Sequence, residues 1–129
     1  MRMDHYVTLA RPVAAVFADL ATPARLGGWL SDVLQVSTEP AAIIGVETAL
    51  TLTMREGGTV RVVEAEVIGY EPPWLIAYRI FLAQPRVLRF TCSTSHGATR
   101  VHVHQSDDAP PLTIDLSLLA DPASEPTPP

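Results

Sequence analysis

Two histidines one residue apart form the pair whose spacing most suggests metal chemistry. His102 and His104 lie in the alternating segment 99–106, and alternate residues of a β-strand project from the same face of a sheet. Two imidazoles on one face are common ligands of zinc. However, the same alternation turns Val101 and Val103 toward a core, and the spacing fixes no third ligand. The sequence therefore predicts a pair of surface histidines and no metal site.

A second pair with chemical potential is Glu64 and Glu66, because two carboxylates on one face of a strand can divide the roles of acid and base. The alternating Val63 and Val67 favour a core on the opposite face, which leaves the glutamates in solvent. Arg79, on the next predicted strand, is placed to pair with them across the sheet. We therefore interpret the two glutamates as surface residues.

Cys92 is the single cysteine of the chain and the remaining candidate nucleophile. It lies in phase with Leu88 and Phe90, which predicts a small buried side chain, and no nearby basic group or helix N-terminus is evident that would activate its thiol. A lone cysteine cannot form an internal disulfide, which is typical of proteins of the reducing cytoplasm.

Candidate ligand-binding residues lie on the apolar faces of the predicted strands. His5 is in phase with Val7 and Leu9, so we expect it to face the core side, where a lone polar group can orient a ligand. The alternative is a core histidine whose ring bonds to the backbone. Trp29 and Tyr78 are large amphipathic side chains that suit either the mouth of a cavity or a plain core. The residues expected to contact a ligand are His5, Trp29, Leu52, Met54, Tyr78 and Phe90, in a trough that Leu50, Ile76, Ile80 and Leu88 complete.

The composition restricts the functions that these residues can serve. Of 129 residues, 47% are apolar and 18% are charged, which is typical of one globular domain and not of a disordered chain. The net charge of −5 gives no basic surface for nucleic acid, and the absence of lysine excludes Schiff-base chemistry and a P-loop. No segment has the length and hydropathy of a signal peptide or a membrane span, so we expect a cytoplasmic protein without membrane insertion.

One strand, two short helices and about six further strands must position these residues. Alternation predicts a strand over 3–10, and helical spacing with a proline in each first turn predicts helices over 12–20 and 23–30. A change of phase at Val62–Val63 predicts a β-bulge. Tight turns between neighbouring strands indicate an antiparallel sheet, and therefore an α+β fold. The further strands are predicted over 33–38, 46–54, 59–70, 74–82, 86–94 and 99–106.

The C-terminal part of the chain differs in composition. Six of the twelve prolines lie in 110–129. We expect residues 120–129 to form a disordered, Pro-rich tail after a domain of residues 1–119. The apolar segment 112–119 is compatible with two turns of helix or with a strand.

Several short motifs resemble the START-like helix-grip superfamily, also called SRPBCC. VTLARPVAAVFADLATPARLGGWLSDV resembles its opening, EVIGYEPPWLIAYR its strand–Pro-Pro–strand element, and GATRVHV its last hairpin. The resemblance extends over about residues 3–106. It implies a curved antiparallel sheet of six to seven strands with two short N-terminal helices and, in this chain, a truncated C-terminal helix. The matching positions in the opening motif are Pro12, Val16, Phe17, Leu20, Pro23, Leu26 and Trp29.

The resemblance implies three kinds of function. Polyketide cyclase/dehydrase-type proteins, Bet v 1 proteins and the C-terminal domain of the Hsp90 ATPase activator all belong to the superfamily. The first kind is non-catalytic binding of a small hydrophobic molecule in a cavity, without a cofactor. The second is a cyclase or dehydratase that uses His5 or a glutamate as general base, and the third is a protein-interaction module.

The short C-terminal segment sets this chain apart from the superfamily. A long C-terminal helix normally roofs the cavity, whereas this chain offers only 112–119 before prolines that cannot continue a helix. An apolar trough that is left uncovered predicts self-association as a homodimer, because soluble monomers rarely expose large apolar patches.

Overall fold

Strands dominate the molecule. The computed structural model describes residues 2–22, 25–38, 48–56, 58–106 and 114–116, and within these ranges it contains seven strands and two helices in the predicted order. No helix in the described ranges is long and apolar enough to span a membrane. The strands are β1 (Arg2–Leu9), β2 (Val33–Thr38), β3 (Ala49–Glu56), β4 (Thr59–Glu71), β5 (Leu75–Ile80), β6 (Arg86–Ser95) and β7 (Ala98–Ser106), and the helices are α1 (Val13–Ala21) and α2 (Leu26–Trp29).

The seven described strands form one antiparallel sheet in the order β1-β7-β6-β5-β4-β3-β2. From β2 to β7 each strand pairs with its neighbour in sequence, and β1 pairs with β7 from Arg2 opposite Ser106 to Leu9 opposite Thr99. Glycines with positive φ, Gly58 at 83° and Gly97 at 81°, make the tight turns of two hairpins. The sheet is curved and open, which confirms the α+β helix-grip architecture.

The first helix covers one end of the concave face of the sheet. The carbonyl of Pro12 accepts hydrogen bonds from the N–H groups of Ala15 and Val16, both at 3.1 Å. Proline suits this position because it has no N–H that would need a partner and its φ already matches the helix. The buried face of α1 carries Val16, Phe17 and Leu20 and packs over β5, β6 and β7.

The second helix and a short C-terminal segment complete the cover. The single turn α2 contacts β2, and Trp29 at its end is buried. Leu30 then forms an antiparallel β-bridge with Ile114, and the N–H of Asp115 donates to the carbonyl of Trp29 at 2.8 Å. Leu116 is buried in the core. The C-terminal segment is therefore held to the end of α2.

The helix-or-strand alternative for the segment 112–119 is resolved only over the described residues 114–116. Ile114 forms the bridge and Leu116 has 3₁₀ conformation, and the remainder of the segment lies outside the described residues. The predicted tail, 120–129, and the domain boundary at residue 119 lie outside the described residues.

The core fills the space between the concave face and this cover. The side chains expected to line an open trough are at most 2% exposed: Leu50, Leu52, Met54, Ile76, Tyr78, Ile80, Leu88 and Phe90. In the described structure the chain itself covers these residues. The argument for a homodimer from an exposed trough therefore does not apply, and dimerisation stays a prediction without that support.

The bulge in β4 lies closer to the end of the strand than predicted. Pairing of β4 with β3 is regular through Glu66, and the register shifts between Val67 and Gly69 against β5. The predicted position was wrong because Val60 and Val62 are exposed apolar side chains near the hairpin. Their presence on the outer face changes the apolar pattern of the sequence without a kink in the strand.

A buried carboxylate joins the two helices. Asp19 is 7% exposed, and its two oxygens accept hydrogen bonds from the guanidinium groups of Arg11 at 2.7 Å and Arg25 at 2.8 Å. The backbone carbonyl of Asp19 accepts the indole N–H of Trp29 at 3.2 Å. The side chain of Arg11 is 13% exposed, so the carboxylate compensates a charge that is largely removed from water.

We expect Asp19→Ala to lower the free energy of unfolding by about 3 kcal/mol, because removing one partner of a largely buried ion pair is strongly destabilising. Urea denaturation of the variant and the wild type measures the loss.

Glu66→Ala is the matched control, since it removes a half-exposed pair in which Arg79 lies 3.1 Å from the carboxylate of Glu66. This control should cost less than ~1 kcal/mol, as exposed pairs do. Equal losses for the two variants would contradict the structural role of Asp19.

Candidate functional site

A small apolar space lies between α2 and the concave face of the sheet. The side chains around it pack so closely that no part of it is wide enough for a water molecule. Tyr78 carries the single polar side-chain atom among the lining residues, and its hydroxyl donates to the carbonyl of Leu20 at 2.5 Å. Burial raises the pKa of Tyr78, so this phenol stays protonated at ordinary pH. The lining residues are Leu26, Leu30, Leu50, Leu52, Ala65, Tyr78, Ile80 and Leu88.

Five of the six residues predicted to contact a ligand come together in the interior. Trp29 meets Phe90 edge to face at a centroid distance of 5.0 Å, and Tyr78 meets Phe90 at 6.4 Å. Leu52 and Tyr78 line the apolar space, whereas Trp29, Met54 and Phe90 are core residues outside its lining. Both Trp29 and Tyr78 are fully buried, and their polar atoms bond to the backbone.

His5 is the predicted ligand-binding residue that the structure separates from the others. It lies opposite Val103, a buried residue, and so projects from the predicted face of the sheet. However, His5 is exposed. The buried end of β1 is at Leu9, next to α1. His5 is four residues away along this edge strand, about 13 Å at ~3.3 Å per residue, and so lies beyond the cover. The phase was predicted correctly, but the expectation of a buried polar group in the core was wrong.

The paired glutamates lie where the sequence predicts them. Glu64 is exposed and Glu66 half-buried, on the outer face of β4. Arg79, directly opposite Glu66 on β5, bonds to its carboxylate. The cross-strand ion pair is confirmed, and neither glutamate lines the apolar space.

The histidine pair also projects from the outer face, as predicted, but it has a partner that the sequence did not reveal. One carboxylate oxygen of Asp4, on β1, lies 2.9 Å from Nε2 of His102 and 2.8 Å from Nδ1 of His104. Hydrogen bonds from His104 and His102 lower the pKa of Asp4 below its usual value. The three side chains form a connected polar cluster across β1 and β7.

Cys92 is buried within β6, as its phase predicts. Burial raises the pKa of Cys92 to about 11, which keeps the thiol protonated and unreactive near neutral pH.

Sequence reasoning missed Ala65 and the leucines of the second helix as parts of the apolar space. Leu26 and Leu30 are four residues apart, the spacing of neighbours on one helix face, and this signal could have found them. Ala65 carries no such signal, because the small side chain of an alanine has no functional group that would mark it as part of a site.

Comparison with known proteins identifies the fold and not the function. No family model matches the sequence, and no curated protein matches it. Among solved structures, Ara h 8.0201 is similar with a TM-score of 0.65 and 16% identity, over 85% of this chain and 80% of that one. The Zhui aromatase/cyclase from Streptomyces sp. R1128 is similar with a TM-score of 0.67 and 16% identity, over 85% of this chain and 70% of that one.

A third similar structure is the di-domain ARO/CYC StfQ from the steffimycin biosynthetic pathway. Its TM-score is 0.65 and its identity 10%, over 92% of this chain and 38% of that one. Together with the seven-stranded antiparallel sheet, these likenesses show that the chain has the START-like helix-grip (SRPBCC) fold.

We expect the thiol of Cys92 to be unreactive toward an aromatic disulfide reagent at pH 8 in the folded protein, and to react at once after unfolding in urea. The raised pKa favours the protonated thiol in the folded state, so this contribution to stability is fully present below the ordinary thiol pKa near 9 and is lost as the pH rises toward 11. Rapid labelling of native protein at pH 8 would contradict the burial of this side chain.

Proposed function

We propose that this protein binds a small apolar or amphipathic molecule between the concave face of the sheet and α2, without catalysis. The observation that carries the proposal is the apolar space, because its lining offers contact to hydrocarbon or aromatic surface and a single hydroxyl, that of Tyr78. Binding sites for small molecules are typically lined in this way, by apolar side chains with few polar groups that fix orientation.

The lining of the space, and not its size, indicates the class of ligand. Apolar side chains with one hydroxyl suit a small apolar molecule that carries at most one or two polar groups. Because the packed side chains leave no room even for water, binding requires the lining side chains to move apart.

The second helix is suited to such a movement. It is one turn long, and Gly27 and Gly28 occupy its middle, where glycine lowers helix stability by about 1 kcal/mol each relative to alanine. A shift of this turn at Leu26 would open the space from that side, while Leu30 stays bridged to Ile114.

The alternative is an enzyme of the cyclase type, which the likeness to an aromatase/cyclase and to a di-domain ARO/CYC favours. Such an enzyme needs a group that transfers protons beside its substrate. The predicted general bases do not lie there, since His5 is exposed and Glu64 and Glu66 are on the outer face. Within the described lining, the one titratable group is Tyr78, whose pKa is raised by burial. These positions favour binding over catalysis.

The third alternative, a protein-interaction module, depended on an uncovered concave face. In the described structure that face is covered by α1, α2 and the segment 114–116. The described structure therefore does not have the uncovered concave face on which this alternative rested.

We expect 1-naphthol to bind the wild-type protein and Ala65→Leu to weaken this binding at least tenfold. The added methyl groups occupy the apolar space, and an inserted side chain in a packed core also costs about 1–3 kcal/mol of stability where it does not fit. Ligand-observed NMR gives the affinity, and urea denaturation reports whether the variant is folded.

Ala49→Leu is the matched control, because Ala49 lies on the same pair of strands but is exposed on the outer face. It should bind 1-naphthol as the wild type does. Wild-type protein that binds no 1-naphthol, or a folded Ala65→Leu variant with unchanged affinity, would contradict the proposed site.

A further inference from the structure

We propose that Asp4, His102 and His104 form a binding site for a divalent transition metal ion such as Zn²⁺ on the outer face of the sheet. The ligand atoms, one from each side chain, all lie within 4.8 Å of one another. The site is independent of the apolar space, which lies on the opposite face of the sheet.

The pairing of the first strand with the last assembles this site. Asp4 lies directly opposite His104 in the register of β1 and β7, and His102 is opposite Tyr6 on the same face. The carboxylate of Asp4 therefore reaches one imidazole straight across the ladder and the other on the diagonal, distances that cross-strand side chains span readily. The two nitrogens that face Asp4 are Nε2 of His102 and Nδ1 of His104.

A zinc ion requires the three ligand atoms to adjust to tetrahedral spacing. Bond lengths near 2.0–2.1 Å in tetrahedral geometry put neighbouring ligand atoms about 3.3 Å apart. Asp4 is 2.8–2.9 Å from each histidine nitrogen, so it needs to withdraw by a few tenths of an ångström. The two histidine nitrogens, which lie within 4.8 Å of each other, must adopt the same spacing. The metal then takes the place of the two N–H hydrogens that face the carboxylate, and each neutral imidazole carries its one proton on the other ring nitrogen.

The chemistry of the donors selects the metal. Two imidazole nitrogens and one carboxylate suit Zn²⁺, Ni²⁺ or Cu²⁺, whereas Mg²⁺ and Ca²⁺ prefer a shell of oxygens. All three side chains are partly exposed, at 44% for Asp4, 33% for His102 and 22% for His104, so an ion reaches them directly from solvent. Three protein ligands leave a fourth position for water.

Tyr6 and Arg100 lie next to His102, one of the three proposed metal ligands. The ring of Tyr6 stacks on His102 at a centroid distance of 4.5 Å, and the guanidinium of Arg100 lies 4.6 Å from the centre of the Tyr6 ring. Arg89 is opposite His104 on β6. Because the three ligands are partly exposed to water, we expect binding at micromolar and not nanomolar concentrations.

A metal ion at this site would hold the edge strand β1 to β7. β1 is an edge strand that pairs only with β7 in the described structure. A metal bound to Asp4 and to both histidines connects these two strands through side chains as well as through the backbone ladder. Since the ion binds the folded arrangement, it stabilises the folded state as its concentration rises.

The test is isothermal titration of the purified chain, without a histidine tag, with ZnCl₂. We expect one ion per chain, a melting temperature that rises with free Zn²⁺, and slower amide hydrogen exchange in β1. MgCl₂ should produce none of these effects. Asp4→Ala, His102→Ala and His104→Ala should each weaken binding by at least the roughly 10- to 100-fold that loss of a supporting residue costs at metal sites.

His5→Ala is the control, because His5 is an exposed histidine next to Asp4 in sequence that projects from the other face of β1. Its affinity for Zn²⁺ should equal that of the wild type. No binding of Zn²⁺ to the wild type at micromolar concentrations would mean that the cluster is held by hydrogen bonds only. Binding that survives His104→Ala in a folded variant, or that is lost in His5→Ala, would also overturn the proposed site.

Discussion

The insertion of the Trp29 indole into the concave face is the contact on which the closure of this fold depends. In the described structure, two short helices and three C-terminal residues cover a seven-stranded sheet. Between this cover and the sheet, the Trp29 indole packs edge to face on Phe90. The indole N–H bonds to the carbonyl of Asp19, and the carbonyl of Trp29 accepts the N–H of Asp115. Burial of the ring therefore leaves no unpaired donor, and the same residue holds the C-terminal segment.

The filled interior separates the two kinds of chemistry in the molecule. The inside offers hydrocarbon, aromatic rings and buried polar groups such as Tyr78 and Cys92, whose raised pKa values keep them neutral. The polar cluster of His102, His104 and Asp4 lies on the outer face. This division supports the proposal of a ligand site inside and of a metal site outside.

Much of the fold could be predicted from the sequence because alternation, prolines and glycine turns act locally. The strand 86–94 and the helix over 12–20 were found within one or two residues, and Cys92 was assigned to the core from its phase alone. Long-range pairing could not be predicted in this way. Asp4 is about a hundred positions from the histidines it bonds to, and only the closure of β1 on β7 brings them together. The exposure of His5 could not be predicted for a similar reason. The alternation of residues shows which face of the strand a side chain is on, but not how far the helices extend over that face.

The most direct test of the central claim is the fluorescence of Trp29 in the variant Trp74→Phe, which leaves it the single tryptophan of the chain. The wild-type Trp74 is 48% exposed and would otherwise dominate any signal from solvent. If Trp29 closes the concave face, its emission is blue-shifted and resists quenching by acrylamide until the protein unfolds. Red-shifted emission that acrylamide quenches freely in the native protein would contradict the account.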